Sequence, residues 1–300
     1  MPGYKGITAA VVGGTGFIGR WVVRKLVEEG ACVCLISRED TANPEAAYLR
    51  VQPSITFNLA GYGIDPAERD EAAALHVNAV LPGMLAEAAA ATRDPAWRGQ
   101  HFVHVGSAAE YGDAGGDLRE DGPTRPVTLY AKTKWRGTQA VAEKSQALGL
   151  RAITARLFTV YGPGERAGRL LPSLIGAGKT GRTLDLSSGM QRRDFTYVED
   201  AAQGLLKLGL VTSETCGATV NLATGRLTTV RAFIEIAAEI LGVPFESLNF
   251  GAIPATAHEM EHEAVTLNRL ERLIGWIPST GIAGGVRRTL EVGLLEEAEP

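Results

Sequence analysis

Continuous apolar runs alternate with amphipathic segments along this chain. ITAAVVGG (7–14), ACVCLIS (31–37), SITFNLAG (54–61), HFVHVGS (101–107), RAITARLF (151–158) and ATVNLAT (218–224) are short and rich in β-branched residues. Strands covered on both faces carry such uninterrupted apolar sequence, because neither face meets water. The segments 17–29, about 66–92, 130–147 and about 197–210 read as helices between them. This alternation predicts an α/β fold, a doubly wound parallel sheet with helices on both faces. After residue 160 the rhythm changes. YGPGERAGR (161–169) is glycine-rich and loop-like, and helical segments follow at about 170–178, 228–242 and 267–274 with few strong strands. Residues 1–160 plus about 197–224 are therefore expected to form the main domain, and about 161–196 with 225–300 a smaller C-terminal α/β domain.

Composition narrows the field. With 45% hydrophobic and 21% charged residues, the chain is not largely disordered. A net charge of −4 with no long basic run leaves nucleic-acid binding without an electrostatic footprint. Cys32, Cys34 and Cys216 form an odd, sparse set that reads as reduced thiols. Cys32 and Cys34 lie two apart in an apolar run and are expected to pack on one strand face. No charged-then-apolar leader opens the chain, and no run approaches about 18 apolar residues. The expectation is a soluble, cytoplasmic protein that binds no membrane.

The first strand runs into Val12-Gly13-Gly14-Thr15-Gly16-Phe17-Ile18-Gly19, which satisfies G-x-G-x-x-G between a strand and an amphipathic helix. Glycines at these positions allow a tight turn and close approach of a pyrophosphate, and the helix start favours anions. This is the Rossmann dinucleotide signature. The second strand ends at Ile36-Ser37-Arg38. An NAD site usually places Asp or Glu there for the ribose 2′-hydroxyl. Arg38 would attract a 2′-phosphate and Ser37 could donate to it, which favours NADP(H) over NAD(H). Glu39 and Asp40 follow directly, so a solvated surface arginine is the competing reading.

Tyr130-Ala131-Lys132-Thr133-Lys134 contains Y-x-x-x-K, whose ends share one helix face. With the glycine loop before it and Ser107 at a strand end, this resembles the short-chain dehydrogenase/reductase superfamily, specifically its extended branch acting on nucleotide sugars. That resemblance implies Ser107, Tyr130 and Lys134 as catalytic residues. A free tyrosine ionises at about 10, so Lys134 and the nicotinamide charge would have to lower it by about three units, or roughly 4 kcal/mol. Tyr130 would then exchange a proton with the sugar while hydride moves to or from nicotinamide.

Further motifs extend the resemblance over nearly the whole chain. Asn58-Leu59-Ala60-Gly61 is similar to a His-Leu-Ala-Ala strand end beside the cofactor, and Asn78 matches a helix asparagine. Gly106-Ser107-Ala108-Ala109-Glu110-Tyr111-Gly112 is similar to a Ser-x-x-x-Tyr-Gly turn. Arg156-Leu157-Phe158-Thr159-Val160-Tyr161-Gly162-Pro163-Gly164 resembles Arg-x-Phe-Asn-x-Tyr-Gly-Pro-Gly, with Thr159 in place of an asparagine near the nucleotide phosphates. Arg193-Asp194-Phe195-Thr196-Tyr197-Val198-Glu199-Asp200 resembles a run whose arginine clamps a pyrophosphate, a task suited to a guanidinium fork. An ion pair of Arg193 with Asp194 or Asp200 is the alternative. Gly275-Trp276-Ile277-Pro278 resembles a C-terminal structural motif.

By the same resemblance, the cofactor residues are Gly13, Gly14, Thr15, Gly16, Phe17, Ile18, Gly19, Ser37, Arg38, Leu59, Ala60, Gly61, Asn78, Tyr130, Lys134 and Phe158. The substrate residues are Ser107, Ala108, Ala109, Thr159 and Arg193, on a nucleotide-diphosphate sugar. A homodimer through helices about 66–92 and 130–147 is also implied.

Family members that dehydrate carry Asp-Glu directly after the serine or threonine, where this chain has Ala108 and Ala109. Two reactions remain: reduction of a 4-keto-6-deoxyhexose nucleotide, and NAD-dependent 4-epimerisation. Arg38 and the likeness of residues 106–112 to the turn of GDP- or CDP-linked 4-keto-6-deoxyhexose reductases favour reduction. A non-catalytic NADP-binding sensor on this fold would not need Ser107, Tyr130 and Lys134 together. Extended members also place another strand–helix unit before the Asn58 strand. Only AYLRVQ (47–52) looks structured here, so that strand is expected to be missing and the second strand to be an exposed edge. Finally, His258-Glu259-Met260-Glu261-His262 fits the zinc-protease pattern H-E-x-x-H. Its charged surroundings suit a solvated loop rather than a dry metal site, and no metal is expected.

Overall fold

The computed structural model describes residues 3–65, 67–213, 215–254 and 262–298. The first half supplies β1 (Thr8–Val12), α1 (Phe17–Glu28), β2 (Cys32–Ile36), α2 (Pro44–Val51), β3 (Ile55–Asn58), α3 (Glu71–Leu75), α4 (Leu81–Ala91), β4 (Phe102–Ser107), β5 (Asp117–Leu118), α5 (Leu129–Leu148) and β6 (Ala152–Leu157). The second half supplies β7 (Thr159–Tyr161), α6 (Leu170–Thr180), β8 (Leu184–Leu186), β9 (Arg192–Tyr197), α7 (Val198–Gly209), β10 (Ala218–Leu222), β11 (Leu227–Thr229), α8 (Val230–Leu241), β12 (Leu248–Phe250), β13 (Ala264–Val265), α9 (Asn268–Ile274) and α10 (Ile282–Ala298).

Six parallel strands form the main sheet in the order β10–β6–β4–β3–β1–β2, as the apolar runs predict. Alternate residues of one strand serve opposite cores. Ala9 and Val11 of β1 join Trp21, Val22 and Leu26 of α1 and Leu205 and Leu206 of α7 on one face. Ala10 and Val12 join Tyr48 of α2, Leu85 of α4 and Val141 of α5 on the other. Each large side chain so buried contributes roughly 1.5–3 kcal/mol, which is why both faces of β1 are apolar. The sheet β11–β9–β7 and the pairs β12–β8 and β13–β5 gather the later strands.

Several local expectations change. The segment between β2 and β3 lacks a strand, as expected, and its structured part is α2, started by Pro44 in the first turn and by the Asn43 side chain accepting from the Ala46 N–H. β2 is the sheet edge, as anticipated. With no strand beyond it, Cys32 is exposed and Cys34 only half-buried, so the packed thiol pair does not form. The helix expected from about 66 begins at Glu71, where Asp70 accepts from the Ala72 and Ala73 N–H groups. A π-helical turn, His76–Val80, joins α3 to α4. By length and mean composition Glu71–Ala91 could cross a membrane, although Glu71, His76, Asn78 and Glu87 interrupt its apolar run. Half of that window is buried in the protein, where α4 packs on α2 and α5. α10 escapes the periodicity reading because Gly284-Gly285 looks like a breaker, although Thr289 and Val286 bury its face. The first four residues of the zinc-protease pattern lie outside the described residues. His262 is described, and it is buried rather than solvated, its ring 6.3 Å from that of Phe158.

Candidate active site

The carboxyl ends of parallel strands form a crevice where the chain order reverses, here between β1 and β3. A cavity of about 610 Å³ opens there. Gly13 has φ +75°, and a Cβ on it would meet the Ala60 nitrogen at 2.9 Å. Only glycine therefore lets the β1 turn lie against the 59–61 backbone. A Cβ on Gly19 would run into the Gly13 carbonyl. Gly16 precedes α1 and offers no side-chain cap, so the first N–H groups of the helix, at cavity-lining residues 17–19, have no internal acceptor. These are the features a dinucleotide pyrophosphate requires, and the cradle fits one.

Gly13, Gly16, Phe17, Ile18, Gly19, Leu59, Ala60 and Gly61 all line this cavity, together with Tyr130, Lys134 and Phe158. Gly14 and Thr15 form the turn but do not line it. Asn78 stands behind the wall. Its amide donates to the Tyr62 carbonyl (2.8 Å) and Thr133 hydroxyl (3.0 Å) and accepts from the Tyr62 N–H (2.9 Å). It thus fixes the 61–63 backbone from inside. Asn58 acts likewise, accepting from the Ala60 N–H (3.2 Å) while its amide meets His104 Nδ1 (3.2 Å).

At the β2 end, Arg38 is exposed. Ser37 is already engaged: its hydroxyl and N–H donate to Asp40 Oδ2 at 2.9 and 3.0 Å, and Arg50 grips Oδ1 at 2.6 Å. Arg50 first, then Ser37, holds the Asp40 carboxyl down at about 2. An internal carboxylate therefore occupies Ser37, one of the two donors expected for a 2′-phosphate, while the Arg38 side chain stays exposed at the same strand end.

Ser107, Tyr130 and Lys134 converge on the same cavity, and Ser107 and Tyr130 also line a second space of about 550 Å³ with Thr159 and Arg169. Thr128 caps α5 through the Ala131 N–H (3.1 Å), which sets Tyr130 and Lys134 on the first turns. Burial pushes the Tyr130 phenol up, and the Ser107 hydroxyl opposes it. Lys134 donates to the Val105 carbonyl (2.6 Å), and burial brings its ammonium down to about 8.

Beneath this cluster lies a buried ion pair that the sequence did not single out. Glu110 Oε2 accepts from Arg156 Nε at 2.9 Å, with side chains 0% and 3% exposed. Glu110 Oε1 accepts from the Ser107 N–H (2.8 Å) and the Thr138 hydroxyl (3.0 Å). The Arg156 guanidinium lies 4.5 Å from the Tyr111 ring centre, and Tyr111 donates to Asn221 (2.7 Å). Fully buried His104, desolvated and beside Lys134, is held well below its usual range and stays neutral.

Not every predicted substrate residue reaches the cavities. Ala108 is buried and Ala109 donates its N–H to Ser107 Oγ (3.2 Å). Arg193 lines neither cavity and donates to the Arg192 carbonyl (2.9 Å). Its two candidate carboxylates have other partners: Asp194 accepts from Thr224 and Asp200 from Ser279 and Thr280. The charged wall comes instead from Arg20, Glu68, Glu165, Arg166 and Arg169. Arg166 pairs with Asp65 across the cleft mouth. Trp21 Nε1 donates to the Pro163 carbonyl (3.1 Å), which ties the 162–169 loop to α1. Charges grouped beside a glycine-rich loop after β7 were the available signal for these residues.

A parallel sheet with a glycine cradle at its switch point and a Ser–Tyr–Lys cluster beside it defines an NAD(P)-dependent oxidoreductase or epimerase of the extended short-chain dehydrogenase/reductase type. The family model for the NAD dependent epimerase/dehydratase family matches residues 9–223, and the chain belongs to that family. It is 31% identical to dTDP-6-deoxy-L-talose 4-dehydrogenase (NAD(P)(+)) of Kitasatospora kifunensis over 93% of each chain. It is 32% identical to a probable dTDP-4,6-dihydroxy-2-methyloxan-3-one 4-ketoreductase of Streptomyces antibioticus over 66% of each. Among solved structures, RMD from Pseudomonas aeruginosa complexed with NADPH superposes with a TM-score of 0.80 at 25% identity, over 95% of this chain and 98% of that one.

Proposed function

We propose that this protein is a 4-ketoreductase of a nucleotide-diphosphate-linked 6-deoxyhexose, with NADP(H) preferred and NAD(H) accepted. The observation that carries the reading is the pairing of Ser107, Tyr130 and Lys134 around one cavity with alanine at both dehydration positions. The names of the two relatives, a 4-dehydrogenase and a 4-ketoreductase on dTDP-linked sugars, support it. When bound, the dinucleotide supplies or accepts the hydride.

Reduction needs an acid beside C4. Burial keeps the Tyr130 phenol protonated, the state from which it donates to a developing alkoxide. Ser107 hydrogen-bonds the same oxygen. The Lys134 ammonium uses one proton on Val105 and retains two for ligand and for stabilising the phenolate left behind. Arg169, which lines both large cavities, takes the substrate diphosphate. Leu75, Val80, Leu129 and Leu148 are 36–52% exposed on the helices assigned to a homodimer, and light scattering tests that assembly.

Mixing the protein with NADPH and a dTDP-linked 4-keto-6-deoxyhexose should consume NADPH and yield the 4-hydroxy sugar. Tyr130→Phe should lower turnover about 10²–10⁴-fold while NADPH still binds. A C4 epimer of a hydroxyl substrate, formed without net change in NADPH, would overturn the reading in favour of the epimerase.

A further inference from the structure

Glu165 lies in the loop between β7 and α6, with its side chain only 7% exposed. It lines the 610 Å³ cavity and also a side pocket of about 210 Å³ walled by Tyr161, Phe195 and Phe233. Its Oε1 meets Arg169 Nε at 3.4 Å, a long contact for an ion pair. Its Oε2 is buried with no hydrogen-bond partner among the described residues. A carboxylate half-satisfied in this way is costly to keep ionised. Arg169 is 48% exposed and lines all three spaces, so the same guanidinium faces Glu165 and the ligand cavities together.

We propose that Glu165 is an internal competitor for the ligand diphosphate on Arg169, and that diphosphate binding is coupled to uptake of one proton by Glu165. The inference rests on Arg169 taking the substrate diphosphate. In the free protein the carboxylate sits on the guanidinium. When a diphosphate oxygen takes that place, two anions would share one cation, and a like charge that close disfavours the ionised carboxyl. Glu165 then takes a proton from solvent and becomes a neutral acid that can donate to the ligand.

Few groups near Glu165 oppose this. Arg169 and the Gly162 N–H favour its charged form, while burial outweighs them and raises its carboxyl to about 7. The 162–169 loop also brings Arg166, which is paired with Asp65. α1 brings Arg20, and the 61–69 loop brings Glu68, whose carboxylate accepts from the Gly63 N–H. β7 brings Tyr161, kept protonated by burial, and β9 and α8 bring only Phe195 and Phe233.

The test is calorimetric binding of UDP-, dTDP-, GDP- and CDP-glucose, whose diphosphate diesters do not titrate near neutrality. Titrations at pH 6 to 9 in buffers of different ionisation enthalpy report protons taken up without turnover. The wild-type protein should take up close to one proton at pH 8 and little at pH 6. Its Kd should rise roughly five- to tenfold per pH unit from 7 to 9. Glu165→Gln should take up none, show a flat Kd, and bind more tightly than wild type at pH 8. Arg169→Gln should bind weakly with no pH dependence. No proton uptake by the wild type, an unchanged pH slope in Glu165→Gln, or weaker binding by that variant at every pH would each overturn the competitor role alone. Failure of UDP-, dTDP-, GDP- and CDP-glucose alike to bind at any pH would overturn the nucleotide-sugar reading with it.

Discussion

Glu110→Gln removes one charge from the centre of the site while keeping volume. The carboxylate satisfies three donors at once, the Ser107 N–H, the Thr138 hydroxyl and Arg156 Nε, all within 3.0 Å. A glutamine carbonyl can serve at most part of that set, and its NH₂ would face donors. Arg156, 3% exposed, would keep its charge with no carboxylate beside it. Stranding a buried charge in this way costs about 3–5 kcal/mol. Urea unfolding should register that loss as a lower midpoint at constant slope. The pair itself is not the source of stability. Glu110→Leu combined with Arg156→Met should lose much less than the two single variants summed, because no charge remains to be desolvated. The charge also acts upward: Glu110 favours the protonated forms of Tyr130 and Lys134, against burial at Lys134, so its removal should move the alkaline limb of the pH–rate profile to lower pH. A Glu110→Gln loss below about 1 kcal/mol, or a double variant as costly as the sum, would refute a desolvated charge as the cause.

Glu165 gives a stability prediction of definite sign. Its folded carboxyl titrates at about 7 against 4.5 unfolded, so the folded state holds the extra proton between those values. Stability from this group is full below pH 4.5 and lost as pH rises to 7, by at most about 3 kcal/mol. Glu165→Gln should flatten that part of the curve, and denaturant titrations at pH 4.5, 6 and 7.5 check it. At the end of β2, Asp40→Asn should free Ser37 and Arg50 for a 2′-phosphate. Affinity for adenosine 2′,5′-bisphosphate relative to 5′-AMP should rise about tenfold, the order of one charge-assisted hydrogen bond changing partner. An unchanged ratio by fluorescence titration would mean that Asp40 only closes its own turn.

What the sequence made legible follows from how local each signal is. The strands of the main sheet were readable because, the edge strand β2 apart, each is covered on both faces, so its apolar run needs no partner to be recognised. The glycine cradle and Y-x-x-x-K were readable because a dozen neighbouring residues carry the whole motif. α2 was not, since its start depends on one Asn43 side chain bond beside a weakly patterned run. Arg38 was judged beside its sequence neighbours, whereas Ser37 is governed by Asp40 and by Arg50, which comes from the end of α2. Asn58 looked like a substitution in a cofactor motif, but β3 and β4 place it opposite His104, which fixes its role as a support.

Carboxylates are where local reading failed most, and for one physical reason. Glu110, Glu165 and Asp40 differ little in their sequence surroundings from the solvated acids elsewhere on the chain. Their environments differ entirely: Glu110 is fully buried on Arg156, Glu165 is buried with one oxygen bare, and Asp40 is partly exposed on Arg50. Burial raises Glu165 to about 7, and donors hold Asp40 at about 2. Three acids paired with three arginines thus have three distinct consequences: one sets the charge under Tyr130, one competes at the substrate side and one competes at the cofactor side. Each arginine lies four to 46 positions from its acid, so the fold assigns the partner and the partner assigns the chemistry. Of these three arginines Arg169 alone lines the cavities, so the proposed competition for ligand turns on how firmly Glu165 already holds it.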